Sequence, residues 1–291
     1  MQILMENPIL WVSLIVIATA VQPILVKLGY RVSLSAAQLL LVKNFLSALV
    51  VLPFLGSFRW ISWREFWQIG RISVLILGIN GFSLLALERL PAAIVVTLTT
   101  TVPLFVALAN SLLGREKLRK QFWLGLFMGF VGVLLVTQIF WVFWSGKTLN
   151  ANFWGMLACL AAVGCATTYR VNMQVLTHKF ETKLLWIWAF WINFLAVSAV
   201  LVPCTPLPSQ AEWPLALGVG LSAAIANSAF IWSIRLVGAT RTSVFQLLQR
   251  PVIILTCAFI LGESLSLWQW IGVILVSLGV WNAQRGTEKL V

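Results

Sequence analysis

The sequence predicts an all-α membrane protein with ten transmembrane helices, arranged as two inverted five-helix repeats with both termini in the cytoplasm. The first observation is composition: the 291 residues are 60% hydrophobic and 10% charged, with a mean hydropathy of +0.97, which is typical of a chain that lies in lipid. The second is that the two halves share residues in the same order. The third is that positive residues concentrate in alternate loops.

Ten apolar stretches approach the roughly 20 residues that a helix needs to cross the hydrocarbon core of a bilayer. Backbone N–H and C=O groups in lipid must be hydrogen-bonded within the segment, so each stretch is predicted to be helical. The predicted spans are 8–28, 36–55, 70–87, 91–113, 121–143, 153–173, 183–203, 213–234, 240–261 and 267–283.

The duplication divides the chain into a first five-helix repeat, 1–148, and a second, 149–291. Matched residues recur at an offset near 147 positions. Five spans per half is an odd number, so the second half enters the membrane from the opposite side and the repeats are inverted. Inverted repeats are typical of transporters that work by alternating access. The two matched series are Asn80, Ala92, Pro103, Gly114, Glu116, Trp123, Gly125, Gly132 and Asn227, Ala239, Pro251, Gly262, Glu263, Trp270, Gly272, Gly279.

The distribution of positive charge predicts the orientation. Of the 20 Lys and Arg residues, 14 lie in one set of alternating loops and four in the other, while Lys43 and Arg250 fall within spans. The positive-inside rule places the richer set, and with it both termini, in the cytoplasm. Membrane topology therefore accounts for the net charge of +12, and we expect no nucleic-acid partner.

The ninth predicted span carries the strongest candidate site. A charge such as that of Arg250 costs at least about 2.5–3.5 kcal/mol at the centre of a bilayer, so it should face protein or water. Gln246 and Gln249 lie on the same helical face and extend a polar stripe beside it. We predict that these three residues line a substrate cavity. The alternative is that Arg250 binds backbone carbonyls that the adjacent Pro251 leaves without donors.

Six further polar residues within spans are candidates for substrate binding, each with a structural alternative. The Asn pair can join helices, the Thr hydroxyls can bond to their own helix, and the Lys stem can carry its ammonium to the membrane interface. Three prolines are predicted to kink their helices and act as hinges. The six candidates are Gln22, Lys43, Asn80, Thr97, Thr101 and Asn227; the prolines are Pro23, Pro103 and Pro251.

Missing residue types exclude several functions. The chain has no Asp, and its eight Glu residues lie in loops, termini or span ends, so the buried carboxylate that exchanges lipophilic cations for protons is absent. Its one histidine, His178, lies in a charged loop, and its four cysteines form no CxxC pair. We therefore expect no enzyme, no metal site and no cofactor.

The end of each repeat carries a proline, then a Gly-Glu loop, then two glycines seven residues apart. This pattern resembles the drug/metabolite transporter superfamily, in its EamA-like family. The resemblance implies a secondary transporter with a central cavity lined mainly by helices 1, 3, 4, 6, 8 and 9, and a peripheral last helix in each half. It assigns the matched prolines, glutamates and glycines structural roles. Many members have Glu or an uncharged residue where this chain has Arg250.

We predict a secondary transporter that moves a small neutral or anionic metabolite by alternating access, with export of an amino acid as the first hypothesis. Arg250 would meet the substrate carboxylate. The alternatives are a sugar-phosphate or nucleotide-sugar exchanger, for which Lys43, Lys27 or Arg170 must point inward, a multidrug exporter, and a non-transporting membrane scaffold. The expected partners are a small-molecule substrate and the lipid bilayer, with the protein a monomer or homodimer. The expected location is a bacterial inner (plasma) membrane, with an organelle membrane as the alternative.

Overall fold

The computed structural model describes residues 8–52, 60–137, 151–237, 253, 256, 259–262 and 265–289. This part of the chain is almost entirely helical, with one short two-stranded sheet. Its elements are α1 Pro8–Arg31, α2 Ala36–Val51, α3 Trp63–Arg89, α4 Ala92–Thr99, α5 Val102–Leu112, β1 Glu116–Leu118, α6 Lys120–Thr137, α7 Ala151–Lys179, α8 Thr182–Leu201, α9 Trp213–Val237, α10 Leu267–Arg285 and β2 Thr287–Lys289.

Eight of the ten predicted spans coincide with one helix each. The span 91–113 is divided between α4 and α5, and most of the span 240–261 lies outside the described residues. In the described part of the chain, five helices are long and apolar enough to cross a membrane, and three shorter helices are apolar. The number of ten crossings and the cytoplasmic placement of the termini remain predictions. The five long helices, with α4 and α5 counted together as one, are Ile9–Arg31, Trp63–Arg89, Ala92–Leu112, Thr182–Leu201 and Trp213–Leu236.

The interruption between α4 and α5 follows from Pro103, at the start of α5. A proline has no N–H to donate and its ring crowds the preceding turn, so the helix restarts there. Neighbouring threonines add side-chain hydrogen bonds to carbonyls of α4 that already accept a backbone N–H: Thr100 Oγ1 donates to Val96 O at 2.8 Å, and Thr101 Oγ1 to Leu98 O at 2.6 Å. By contrast, α1 continues through Pro23 without a break.

The peripheral helices α6 and α10 pack at their matched glycines. A β-carbon on Gly279 would lie 2.6 Å from Gly125 O, and one on Gly272 would lie 2.7 Å from Gly132 O, so only glycine allows this approach. The first glycine of each helix meets the second glycine of the other, so the two helices are antiparallel. The seven-residue spacing therefore has the role predicted for it, which is to let another helix approach.

Other contacts between helices of the two halves have an equivalent contact when the halves are exchanged. Helix α3 packs against α7 as α9 packs against α1, and the equivalent helices α2 and α8 pack against each other. At that α2–α8 contact the matched residues Phe45 and Phe194 place their ring centroids 5.9 Å apart. The matched loop glycines Gly114 and Gly262 share a left-handed backbone, with φ of 69° and 67°. The contacts of the described residues are thus related by a pseudo-two-fold exchange of the two halves.

Helix ends are fixed by local hydrogen bonds. Ser35, Ser62 and Ser266 each form a capping box at the start of α2, α3 and α10. Strand β1, which follows α5, pairs antiparallel with β2, which follows α10. This sheet joins the segment before α6 to the segment after α10, beside the α6–α10 pair.

Candidate functional site

A cavity of about 230 Å³ lies between the helices of the two halves. Its described walls come from α1, α2, α3, α4, α7 and α9, with one residue at the start of α5. Five of the predicted site residues lie in this lining: Gln22, Pro23, Lys43, Asn80 and Asn227. The other described polar groups of the wall are Thr19, Ser83, Thr99, Tyr169 and Arg170.

Asn80 and Asn227 are equivalent residues of the two repeats, and the fold brings them to one cavity from α3 and α9. The equivalence explains the meeting, because residues related by an inverted repeat lie at the same depth around its axis. Ser83 follows Asn80 by three residues, so it lies on the same face of α3 and extends the polar wall. Gln22 adds an amide from the middle of α1.

Lys43 lines the cavity and carries a positive charge. It lies in the middle of α2, and only 2% of its surface is exposed. The structure therefore does not agree with the alternative that the Lys43 stem carries its ammonium to the membrane interface. Within the described part of the chain, no hydrogen bond or ion pair to its ammonium is found. An ammonium in apolar surroundings is costly unless an opposite charge or polar groups compensate it.

Arg170 is a second cation in the same lining. The sequence analysis named it only as a condition of the sugar-phosphate alternative and not among the candidate site residues. The pattern of charges assigned Arg170 to a cytoplasmic loop, but α7 continues to Lys179 and carries Arg170 well inside the helix. Its guanidinium carbon lies 5.2 Å from the centre of the Phe230 ring, which is within the range of a cation–π contact. The available signal was position, since Arg170 falls inside the predicted span 153–173.

The threonines of α4 and of its link to α5 do not lie where the prediction placed them. Thr97 and Thr101 are buried but do not lie in the described lining, whereas Thr99 does. Thr97 Oγ1 donates to Ala93 O at 2.7 Å, the local bond that was the alternative for this residue. Substrate binding by Thr97 and Thr101 is thus a prediction without support from the cavity.

The predicted stripe of the ninth span lies outside the described residues. This holds for Gln246, Gln249, Arg250 and Pro251, whose roles as cavity-lining and hinge residues stay predictions. The described part of the cavity is lined by residues of α1 to α5, α7 and α9. Pro103 starts α5 and is not in the described lining.

The electrostatics of the described lining are one-sided. It contains Lys43 and Arg170 and no carboxylate, because the chain has no Asp and its Glu residues occur near helix ends and loops. Glu65, for example, accepts a hydrogen bond from Ser62 N in the cap of α3. Among the described residues, no group of three His, Cys, Asp or Glu could hold a metal ion. The arrangement can therefore receive a negatively charged solute.

Membrane-length helices in two matched halves around a polar cavity define the class of the protein as a multi-pass membrane transporter. The model of the EamA-like transporter family matches residues 7–138 and 153–283. The chain therefore belongs to the EamA-like transporter family, as its motif pattern predicts. The two matched regions fall within the two predicted halves, and the boundary between 148 and 149 remains a prediction.

Relatives carry transporter names. The chain is 28% identical over 234 residues to "Uncharacterized inner membrane transporter YedA" of Escherichia coli K12, covering 72% of this chain and 70% of that protein. It is 21% identical over 262 residues to "Riboflavin transporter" of Vibrio cholerae serotype O1, covering 86% of this chain and 84% of that protein. The family, these names and the helices support a multi-pass protein of the bacterial inner membrane, in agreement with the sequence prediction.

The fold is also similar to that of a solved crystal structure. The two agree with a TM-score of 0.66 at 17% sequence identity, covering 95% of this chain and 96% of the other. At this identity the similarity concerns the fold alone.

Proposed function

We propose that the protein is a secondary transporter for a small organic anion, which binds in the central cavity and crosses by alternating access. The observation that carries this proposal is that Lys43 and Arg170 line one cavity whose described wall has no carboxylate. A solute anion about 4 Å from either cation gains about 4 kcal/mol at an effective dielectric constant of about 20, and a solute cation loses as much. The cavity thus favours anions over the lipophilic cations of a multidrug exporter.

An amino acid is the first candidate substrate, and export is the proposed direction. Its carboxylate would meet Lys43 or Arg170, and its ammonium would need oxygen acceptors instead of a carboxylate. The amide oxygens of Gln22, Asn80 and Asn227 are available in the described lining for that role. Arg250, on the ninth span, is proposed as a further anion-binding group of the same site.

The size of the cavity suits a small solute. Its volume of about 230 Å³ is many times the roughly 10–15 Å³ that a single water needs, so it has room for a small organic molecule. This space suits an amino acid or a short organic acid.

A phosphorylated metabolite is the second candidate, and the two cations of the described lining support it. A phosphate usually binds two or more cations, and Lys43 and Arg170 both face the cavity. Charge alone favours a carboxylate and a phosphate ester alike, so the two are separated by measuring the binding of each.

The proposal is tested by thermal shift of the detergent-purified protein with glutamate, malate, 3-phosphoglycerate and tetraphenylphosphonium. A ligand at 100 times its Kd stabilises the folded state by about 2.7 kcal/mol. We expect one or more of the anions to raise Tm, and Lys43→Met to remove the rise. Lys117→Met, at an exposed strand residue, is the matched control and should keep it. Stabilisation by tetraphenylphosphonium, unchanged in Lys43→Met, would contradict the anion site.

A further inference from the structure

A second cavity of about 40 Å³ adjoins the central one. Five of its lining residues also line the central cavity, so these side chains form the wall between the two spaces. The remaining three, Ile76, Phe190 and Ile231, belong to the small cavity alone. The shared wall consists of Ile79, Asn80, Tyr169, Asn227 and Phe230.

The position of the small cavity along the helices gives its direction. On α3 the lining moves from Ser83 in the central cavity to Ile76, toward the start of the helix. On α9 it moves from Ala226 to Ile231, toward the end of the helix. The start of α3 and the end of α9 are both predicted to be cytoplasmic. The small cavity therefore lies on the predicted cytoplasmic side of the central one.

A buried apolar cluster lies beyond the small cavity in the same direction. Ile69 and Ile72 of α3 pack there with Met173 and Leu176 of α7, and Ile76 continues the cluster into the cavity wall. The small cavity is consequently a partly polar pocket between the central cavity and an apolar seal. Its volume of about 40 Å³ exceeds the roughly 10–15 Å³ that one water needs, and Asn80, Asn227 and Tyr169 supply polar atoms to hold a water.

Phe230 is the part of the wall that is held from two directions. The ring centroids of Tyr169 and Phe230 lie 5.9 Å apart, with an angle of 31° between the rings. Arg170 lies over the same Phe230 ring, 5.2 Å from its centroid, and also lines the central cavity. An anion in the central cavity competes with this ring for the guanidinium, because a carboxylate or phosphate attracts it more strongly than an aromatic face does.

We infer that the two cavities are successive stations of one solute path, and that Phe230, held by Arg170, is the gate between them. Binding of an anion draws Arg170 from the ring, and Phe230 is then free to move out of the path. This inference rests on the proposed anion transport for the release step, while the gate itself rests on the shared wall. It assigns Phe230 a role in passage and Arg170 a role in coupling passage to occupancy.

Cysteine accessibility tests the gate without a known substrate. In the full chain with its four native cysteines replaced by alanine, Ser83→Cys reports the central cavity and Ile76→Cys reports the small one. The probe is the small anionic reagent 2-sulfonatoethyl methanethiosulfonate, applied to membrane vesicles on the side from which Ser83→Cys reacts. We expect Ile76→Cys to react at least about tenfold more slowly than Ser83→Cys, because the wall separates the small cavity from the central one.

Phe230→Leu should raise the Ile76→Cys rate by about three- to tenfold, the factor that the loss of one partly desolvated cation–π contact represents. Phe190→Leu is the matched control, since Phe190 lines the small cavity but not the wall, and should leave the rate unchanged. Should Phe230→Leu fail to fold, Arg170→Gln tests the same contact and should also raise the rate.

Equal reaction of Ser83→Cys and Ile76→Cys in the parent would overturn the inference, as would rates that neither Phe230→Leu nor Arg170→Gln changes. These results are separate from those for the proposed function. Loss of anion binding with the accessibility pattern intact would refute the substrate class and leave the gate in place.

Discussion

Replacing Gly125 by alanine tests whether the two repeats meet through equivalent helices. A β-carbon at this position would lie 2.5 Å from Ala283 N and 2.7 Å from Ala283 Cβ, and would also overlap Gly279 O. Optimal contacts between carbon atoms lie at about 3.5–4.0 Å, so α6 and α10 would have to separate by about 1 Å. Backbone atoms of a packed helix cannot rotate away as a side chain would.

The expected destabilisation can be worked out from two opposing terms. Overpacking a close contact costs about 1–3 kcal/mol. Alanine recovers up to about 1 kcal/mol relative to glycine within a helix. Subtracting a full recovery of about 1 kcal/mol leaves a net loss of about 0–2 kcal/mol, which lowers Tm by up to about 8 °C at 2–4 °C per kcal/mol. Gly272→Ala, the equivalent substitution in α10, should show a loss of the same order, since its β-carbon would lie 2.7 Å from Gly132 O.

The assay is thermal unfolding of the purified protein in detergent, followed by the fluorescence of its 16 tryptophans. Gly164→Ala in α7 is the matched control, because nothing lies within 4 Å of its β-carbon position. It should be neutral or raise Tm. The reasoning would be refuted by Gly125→Ala melting at or above the temperature of Gly164→Ala.

Two other contacts give predictions of similar size. Trp186 Nε1 donates to Ser228 Oγ at 3.0 Å in the buried α8–α9 contact, so Trp186→Phe and Ser228→Ala should each cost about 1 kcal/mol. Their double mutant should cost less than the sum in the same thermal unfolding assay, and full additivity would show that this bond contributes nothing. Ser35→Ala removes the capping box of α2 and should lower stability by about 1 kcal/mol, whereas Ser35→Asp should retain most of it. Equal losses in both Ser35 variants would contradict the capping role.

The architecture could be predicted because its signals repeat along the chain. Length and apolarity located eight helices individually, and the recurrence of Gly125 and Gly132 as Gly272 and Gly279 predicted a close helix contact. The Asn80–Asn227 pair could be found for the same reason, since equivalent residues of inverted repeats meet near the axis. These inferences use periodicity, which does not depend on which neighbour a face meets.

The features of the site that the sequence could not predict depend on packing against a neighbouring helix or on an interruption within a helix. The assignment of Thr97 and Thr101 to the cavity assumed that the span 91–113 is one continuous helix. The helix is interrupted before Pro103, and Thr99 lies at the cavity instead. Arg170 lies close to the end of its predicted span, where an inward cation and a loop cation look alike. Lys43 has a stem long enough for either the interface or the interior, and only the packing of α2 against its neighbours decides between them.

The central claim, that the Lys43 cavity carries an anion across the membrane, is tested most directly by uptake into proteoliposomes. Radiolabelled glutamate, malate and glycerol 3-phosphate, together with tetraphenylphosphonium, would be compared in the wild type, Lys43→Met and Lys117→Met. The account predicts uptake of at least one anion by the wild type and Lys117→Met. It predicts a loss of about thirtyfold or more in Lys43→Met, since removing a buried charge partner costs at least about 2 kcal/mol. Anion uptake that Lys43→Met leaves unchanged, or uptake of tetraphenylphosphonium alone, would contradict it.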